Sequence, residues 1–326
     1  MLQISEKDIA GIGKRIAHHV ARDPQLAEAR DSNGRSAVNV ATPTNIQAIN
    51  SVILIHGRYR LRTTQPAHQS ATCIVYEAFD EGNIDANGHT VPPVPVALKF
   101  MSKKLQFIRE VSARGQNFSP HMVIDIIRTH PETKNTHEAS SLLDRLQSLE
   151  DDVPLPDDTS KQLPKEDAEK LYCLVMNLAD RNLFVAIKQE RFAGRNMDTV
   201  RYITKQLIAC LEHMHSKGVL HADIKPLNIM RIQADWCVID LDAVCRIDID
   251  SVGFKSSSGY IPPEAVFVNN ENDVAVVRSE QTNLEYGCDV LIAHPSFDIW
   301  SVACILYQLV NSDVLPLFVC GQDDNL

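Results

Sequence analysis

The chain has 326 residues, of which 44% are hydrophobic and 23% are charged, and its formal net charge is −10. This length suffices for two domains or for one two-lobed enzyme, and the composition is that of a globular protein with a buried core. The acidic excess argues against a general nucleic-acid binder, because no basic stripe balances it.

The cysteines and the first residues bear on the compartment. Eight cysteines occur without a Cys-x-x-Cys pair, and most of them lie in apolar runs. This pattern indicates reduced core residues in a reducing compartment. The N-terminus does not look like a signal peptide, and no apolar run reaches the roughly 18 residues of a membrane span. We therefore predict a cytoplasmic protein that has no membrane partner.

Residues 5–30 carry a helical pattern, in which Ile9, Ile12 and Ile16 recur every three to four positions. Residues 31–41 resemble the turn and first helix of one ankyrin repeat. A single repeat cannot bury its apolar face. Residues 1–50 are therefore either the last repeat of a longer array, which would offer a surface to a protein partner, or a helical cap on the next domain.

From residue 52 the pattern changes to strands, with β-branched and aromatic residues between turn-forming stretches. The predicted strands are residues 52–55, 59–61, 73–79, 122–127 and 171–176. Between the last two, residues 131–170 are polar, acidic and proline-bearing, with one helical stretch at 141–149. Such a composition predicts an insertion between two strands.

Residues 197–216 predict a long amphipathic helix, because their apolar side chains recur at helical spacing. Lys217 and Gly218 mark its end. The histidines nearby do not make a metal site. His213 and His215 point to different faces of the helix, and no cysteine or carboxylate completes a zinc set with His221.

A polar stretch flanked by apolar residues carries the candidate chemistry. Asp223 can accept a proton from a hydroxyl group, Lys225 can neutralise a phosphate, and Asn228 offers an amide oxygen to a hard cation such as Mg²⁺. The following apolar run, residues 236–239, ends on Asp240, as a strand delivering a second metal ligand would. Together these residues indicate a phosphoryl-transfer site.

These motifs resemble those of the protein kinase superfamily. Residues 221–228 match the catalytic-loop pattern H-R-D-L-K-x-x-N, and residues 240–242 match D-F-G. Residues 96–99 match the strand with V-A-I-K, and residues 107–111 match the helix that carries its paired glutamate. Residues 256–264 match the end of the activation segment, and residues 298–301 match the large buried helix.

The resemblance covers residues 52–326 and implies an α+β fold of the bilobal protein-kinase type. A small antiparallel β lobe would be followed by a mainly helical large lobe. The implied domains are a helical N-terminal segment at 1–50, the small lobe at 51–178 with its acidic insertion at 131–170, and the large lobe at 179–326. The segment 265–297 is longer than the family usually needs, and the family's final helices are missing from this sequence.

The resemblance also implies an activity, namely a serine/threonine protein kinase that transfers the γ-phosphoryl group of ATP to a protein hydroxyl group. Asp223 would orient and deprotonate the hydroxyl group, and Lys225 would offset charge on the moving phosphoryl group. Asn228 and Asp240 would hold Mg²⁺. Lys225, and a hydroxyl residue at Ser257, match the branch whose substrates carry serine or threonine.

The nucleotide contacts are carried over from the family in the same way. Lys99 would bind the α- and β-phosphates and pair with Glu110. The further nucleotide-binding positions are Val75, Ala97, Met176, Leu178, Ala179, Asp180 and Met230. Of these, Leu178 and Ala179 would belong to the hinge that receives adenine, and Asp180 is a candidate ribose contact. Met176 would guard the pocket behind the hinge, or it is a plain core methionine.

Departures from the family pattern leave alternatives open. His68, Ser70 and Cys73 replace the glycines of the phosphate loop, and their side chains would crowd a phosphate. A pseudokinase or scaffold with weak or no nucleotide binding is therefore the alternative prediction. A small-molecule phosphotransferase is a third, against which Lys225 and the Pro-Pro-Glu segment ending at Glu264 speak.

Three further positions differ from the family. Ala222 replaces the arginine that binds a phosphorylated activation loop in many relatives, so control by loop phosphorylation is less expected. Asp242 replaces the glycine of D-F-G, which predicts less switching of Asp240. Arg114 lies four residues after Glu110, where the family usually has an apolar residue, and this leaves the placement of that helix open.

Overall fold

The computed structural model describes residues 54–63, 65–82, 92–132, 155, 165–252, 259–269, 274–277, 290–311 and 313–318. The ankyrin-like segment at 1–50, the helical stretch at 141–149 and Ser257 lie outside the described residues. The chain divides into two compact units. The first holds the described residues up to Lys104, Ile127–Glu132, and those between Glu150 and Met176, and the second holds Leu105–Ile126 and those from Asn177 onward. The predicted domain boundaries stay a prediction.

The first unit is built on a sheet of seven strands in the spatial order β1-β2-β4-β5-β7-β6, with β3 paired to β4. Its strands are β1 (Leu54–Ile55), β2 (Tyr59–Leu61), β3 (His68–Gln69), β4 (Cys73–Asp80), β5 (Val94–Met101), β6 (Ile126–His130) and β7 (Tyr172–Asn177). The longest pair, β4 and β5, is antiparallel and places Val75 opposite Lys99. Tyr59, Tyr76 and Phe100 are fully buried in the core of this unit.

The strand predicted at residues 122–127 is wrong in its extent, because β6 begins only at Ile126 and continues to His130. The preceding residues serve the second unit instead. Val238 donates its N–H to the Met122 carbonyl, and Ile124 donates to the Val238 carbonyl. One apolar run therefore supplies two pairing partners, which a periodicity in the sequence does not reveal.

The second unit contains the long helices. They are α1 (Lys104–Ala113), of which all but the first residue belongs here, α3 (Leu183–Glu190), α4 (Met197–Ser216) and α5 (Ser296–Val310). The short helix α2 (Lys165–Ala168) belongs to the first unit. The side chain of Asn196 caps α4 by accepting the Thr199 N–H, and Gly218, at φ +75°, follows its end. The helix predicted at 197–216 is confirmed at both ends.

Short antiparallel pairs complete the second unit. Its strands are β8 (Arg181–Asn182), β9 (Val219–Leu220), β10 (Ile229–Ile232), β11 (Asp235–Val238), β12 (Cys245–Arg246), β13 (Val266–Asn269) and β14 (Val274–Val277). The order β11-β10-β8 forms a small sheet, and β9 pairs with β12, as β13 does with β14. A sheet-based unit and a largely helical unit confirm the expected α+β class.

Six of the eight cysteines lie in the described residues, and all six are buried. Burial raises the pKa of the Cys210, Cys237 and Cys245 thiols to about 12. These thiols stay protonated at neutral pH and pack as small apolar groups, as the sequence predicts. In the described part of the chain, no helix has both the length and the apolarity to cross a bilayer.

A pair of histidines makes the first unit sensitive to acid. The ring of His130 stacks on that of His56 at a centroid distance of 4.0 Å, and the ring of Tyr59 meets it edge-on at 5.5 Å. Burial, followed by the charge of His56, lowers the pKa of His130 from 6.5 to about 4. As the pH falls below 6.5, the unfolded chain therefore binds this proton before the folded chain does.

We expect the contribution of His130 to the free energy of unfolding to be fully present above about pH 6.5 and to be lost as the pH falls towards 4. His130→Phe keeps the stacked ring but removes the titrating group, so its urea midpoint should fall less than that of the wild type between neutral and mildly acidic pH. His121, whose side chain is 76% exposed, supplies the matched control His121→Phe. An equal loss in the wild type and in His130→Phe would contradict the assignment to His130.

Candidate active site

The loop that follows β9 and begins at His221 is anchored by one buried carboxylate. Asp298 of α5 is completely buried, and its two oxygens accept the N–H groups of His221 and Ala222, each at 2.9 Å. The Nε2 atom of His215 lies 2.9 Å from the same carboxylate. Ala222 has a φ of +63°, a left-handed backbone that a residue with a Cβ rarely adopts. The hydrogen bonds of Asp298 hold this conformation in place.

The imidazole of His221 ties the loop to the strand that precedes Asp240. The N–H of Asp223 donates to His221 Nδ1 at 3.3 Å, so the ring proton resides on Nε2. Nε2 then donates to the Ile239 carbonyl at 2.9 Å. Because His221 is completely buried, this arrangement fixes its tautomer and its position.

Asp223, Lys225 and Asn228 meet at the top of this loop. The Nδ2 atom of Asn228 donates to both the carbonyl and the carboxylate Oδ2 of Asp223, at 2.9 Å each. The Nζ atom of Lys225 lies 3.5 Å from the same Oδ2. These contacts orient the Asp223 carboxylate and place a positive charge beside it.

The hairpin β10–β11 brings Asp240 to the same end as Asn228. Ile229 pairs with Val238 in the register of the hairpin, and the Ile239 N–H donates to the Asn228 carbonyl at 3.0 Å. Asp240 follows directly, with a left-handed backbone at φ +68°. The register of one short hairpin therefore sets the spacing between the two predicted cation ligands.

Asp240 is one of three carboxylates that lie close together. The ligand oxygens of Glu110, Asp240 and Asp242 all lie within 4.8 Å of one another. Glu110 comes from α1, which confirms the predicted helix around residues 107–111. The side-chain amide of Gln106, one turn earlier on α1, donates to Asp242 at 2.5 Å. The acidic residue in place of the D-F-G glycine is thus packed against α1.

The donor set fits a hard divalent cation. Asn228 uses Nδ2 in both of its side-chain hydrogen bonds to Asp223, so its amide oxygen takes part in neither. An amide oxygen and carboxylate oxygens are the ligands that Mg²⁺ prefers in proteins. Asn228 and Asp240 are the residues that would hold such a cation, and their role stays a prediction.

The nucleotide-binding positions are divided between the two units. Val75, Ala97, Lys99 and Met176 belong to the first unit, where Val75 and Lys99 oppose each other on β4 and β5. Lys99 and Met176 are both buried. Leu178, Ala179, Asp180 and Met230 belong to the second unit, Met230 on β10. Their convergence on one nucleotide, like the pairing of Lys99 with Glu110, stays a prediction.

Asp180 is engaged by arginines. It accepts hydrogen bonds from the guanidinium groups of Arg181 and Arg231, and these lower the pKa of its carboxyl group. It also borders an open cavity of about 500 Å³, together with Phe192, Ile203 and other residues of the second unit. None of the other predicted site residues lines that cavity. The carboxylate that was predicted to bond the ribose therefore forms ion pairs with two arginines.

In the glycine-free turn between β3 and β4, backbone amides form hydrogen bonds within the turn. The Oγ atom of Ser70 accepts the N–H groups of Thr72 and Cys73, at 3.3 and 3.2 Å. The N–H of Ser70 itself donates to the Cys73 carbonyl at 2.9 Å. Amides that glycine-rich loops offer to a phosphate are thus bonded within the turn.

Two residues contribute to the site in ways that the motifs alone do not reveal. From the sequence, Asp298 was predicted only as part of the large buried helix, yet its carboxylate anchors the loop of Asp223. Arg114 is buried beside Glu110, with Nη1 3.0 Å from Oε1 of that glutamate. The sequence did show that position 114 carries an arginine where the family usually has an apolar residue. It did not show that Glu110 is the partner of this arginine.

The protein kinase domain family model matches residues 163–319. The chain is 26% identical over 219 residues to dual specificity tyrosine-phosphorylation-regulated kinase 2 of Drosophila melanogaster, which covers 66% of this chain and 27% of that protein. It is 30% identical over 156 residues to serine/threonine-protein kinase ppk15 of Schizosaccharomyces pombe, which covers 47% of this chain and 25% of that protein.

A third relative is serine/threonine-protein kinase MPS1 of Saccharomyces cerevisiae, at 26% identity over 153 residues, or 45% of this chain and 19% of that protein. The chain thus spans a quarter or so of the length of the curated relatives it matches. The matched segment contains the loop of Asp223, the hairpin β10–β11 and α5. Motifs, local geometry and these similarities agree, and residues 163–319 of the chain carry the protein kinase domain.

Proposed function

We propose that this chain is a serine/threonine protein kinase domain, which transfers the γ-phosphoryl group of ATP to a hydroxyl group of a protein. The observation that carries the proposal is the contact of Asn228 and Lys225 with the carboxylate of Asp223, on a loop anchored by Asp298. A carboxylate held in this way is suited to orient a hydroxyl group and accept its proton.

The reaction forms a bond between the substrate oxygen and the γ-phosphorus and breaks the bond from that phosphorus to the oxygen it shares with the β-phosphate. The hydroxyl proton passes to Asp223, and ADP leaves. Lys225 lies beside Asp223, where its ammonium group offsets negative charge on the phosphoryl group in transit. Mg²⁺, when bound, would neutralise phosphate charge, and Asn228 and Asp240 would be its protein ligands.

The choice of serine and threonine rests on Lys225, two positions after Asp223, and on relatives whose names state that specificity. Another relative is named a dual specificity kinase, so tyrosine phosphorylation is the outcome to test against. Phosphoamino-acid analysis of a labelled general substrate such as casein distinguishes the two. We expect phosphoserine and phosphothreonine, and phosphotyrosine as the main product would overturn the specificity while leaving the kinase assignment.

The turn at Ser70 favours a second candidate, a pseudokinase that acts as a scaffold. Its backbone amides are satisfied by Ser70, which weakens their use as a phosphate cradle. A thermal-unfolding titration with Mg·ATP separates the candidates, because a ligand that binds only the folded state raises the midpoint with its concentration. We expect a rise for the kinase, and no rise at millimolar nucleotide would support the scaffold.

Ser70→Gly is the matched variant for this titration. It releases the amides of Thr72 and Cys73 and removes the side chain that occupies them, so it should bind Mg·ATP more tightly than the wild type. Ser216→Gly, at the end of α4, changes the same residue type outside this turn and serves as the control. If Ser70→Gly and the wild type respond equally to nucleotide, the turn does not limit binding.

A further inference from the structure

Arg114 is a buried charge next to the candidate site. It follows α1 directly, and its side chain is only 3% exposed. The Nη1 atom lies 3.0 Å from Oε1 of Glu110 and donates to the Glu110 carbonyl at 2.9 Å. A buried guanidinium group is tolerated only when it is paired and hydrogen-bonded, and Arg114 meets both conditions through the same residue.

The other side of the guanidinium group reaches a residue that is bonded to β11, the strand that leads to Asp240. The Nη2 atom of Arg114 donates to the Ile124 carbonyl at 3.1 Å. The Ile124 N–H in turn donates to the Val238 carbonyl at 3.0 Å, and Val238 lies two residues before Asp240. A continuous set of polar contacts therefore links Glu110 on α1 to the end of β11.

Charge gives this link a second role. Glu110, Asp240 and Asp242 present carboxylate oxygens within 4.8 Å of one another. Carboxylates at such distances repel each other, the more so where protein replaces water. Arg114 supplies a positive charge on the α1 side of the cluster, at Glu110. An apolar side chain at position 114 would fill the space but would provide neither the charge nor the bond to Ile124.

We propose that Arg114 is a positioning residue for phosphoryl transfer, which rests on the function proposed above. It fixes Glu110 relative to β11, the strand that leads to Asp240, and offsets the charge of the three carboxylates, and it does so without contacting substrate. Asp240 is thereby held where a cation ligand is needed. The loss of Arg114 acts on the reaction through Glu110 and Asp240.

Two substitutions test this role. Arg114→Met retains volume and loses the charge, and Arg114→Lys retains the charge but loses the planar fork that reaches Glu110 and Ile124 together. We expect Arg114→Met to lower kcat by about tenfold to a hundredfold, with KM for the protein substrate unchanged, as partners of ligating residues do. Arg114→Lys should recover part of that loss. Arg201→Met, which removes an arginine that is 73% exposed, is the control.

Hydrogen exchange of the same variants, followed by mass spectrometry, does not depend on activity. We expect faster exchange in Arg114→Met, confined to peptides covering residues 107–124 and 236–242, with Arg201→Met like the wild type. Exchange raised evenly across the second unit, or kcat unchanged per folded molecule, would reduce Arg114 to a packing residue and overturn the proposal. If Arg114→Met does not fold, Arg114→Lys carries the test with smaller changes in the same peptides.

The two proposals fail in different ways. If the wild type binds Mg·ATP but transfers no phosphate to any substrate, the proposed function fails, while localised exchange in Arg114→Met still supports the positioning of Asp240. If the wild type transfers phosphate and Arg114→Met does so at the same rate, the positioning role fails alone.

Discussion

Asp223→Asn is expected to lower the rate of phosphoryl transfer by roughly 10²–10⁴-fold, the range that a positioned general base contributes. The substitution keeps the shape of the side chain, and its amide oxygen can still accept from Asn228 Nδ2. It removes the negative charge that Lys225 approaches at 3.5 Å and the group that accepts the hydroxyl proton. The effect should therefore appear in kcat, with nucleotide affinity and thermal stability close to those of the wild type.

The measurement is transfer of labelled phosphate from ATP to casein by equal amounts of folded protein. Asp198→Asn makes the same chemical change at a carboxylate that is 93% exposed, and should leave transfer unchanged. Equal transfer by the wild type and Asp223→Asn would refute the assignment of Asp223 as the base. A thermal midpoint far below that of the wild type would mean that the loss in transfer reports folding.

Asp298→Ala is expected to lower the free energy of unfolding by roughly 3 kcal/mol or more, because each hydrogen bond to a buried charged group contributes about 1.5–3 kcal/mol. The alanine leaves the N–H groups of His221 and Ala222 buried without an acceptor, and it removes the support for the left-handed Ala222. The loop should then lose the geometry that presents Asp223, so transfer should fall together with stability.

Urea unfolding followed by circular dichroism measures the change in stability. Asp298→Asn keeps one side-chain oxygen and so can satisfy one of the two N–H groups, which predicts a loss between those of Asp298→Ala and the wild type. His215→Phe removes only the third contact of Asp298 and should cost least. A full loss in His215→Phe, with little change in Asp298→Ala, would show that the anchor of the loop is the histidine.

Local patterns in the sequence were sufficient for several elements. The helix Met197–Ser216 follows from the spacing of its apolar residues and from the residues at its ends, all of which act within one or two turns. The apolar run at 236–239 was likewise predicted as a strand leading to Asp240, and it lies on β11 (Asp235–Val238) and the residue that follows it. The short-range part of the candidate site, Asp223 with Lys225 and Asn228, was predicted for the same reason.

Contacts between distant residues were not predictable in this way. The apolar run at 122–127 was expected to form one strand, and the structure divides it between two partners, because an apolar side chain does not specify what buries it. The bond of Arg114 to Ile124 and the packing of Gln106 against Asp242 depend on where α1 lies. That position is set by packing and leaves no motif in the sequence.

The sequence by itself indicated the resemblance to protein kinases, the α+β class and the residues proposed to carry phosphoryl transfer, because those depend on residue types at short spacings. Only the tertiary structure decided that Asp298 holds the loop from 76 positions away and that Arg114 bonds both Glu110 and Ile124. A buried charge is stable only beside its partners, and those partners are brought together by the fold rather than by their order in the chain.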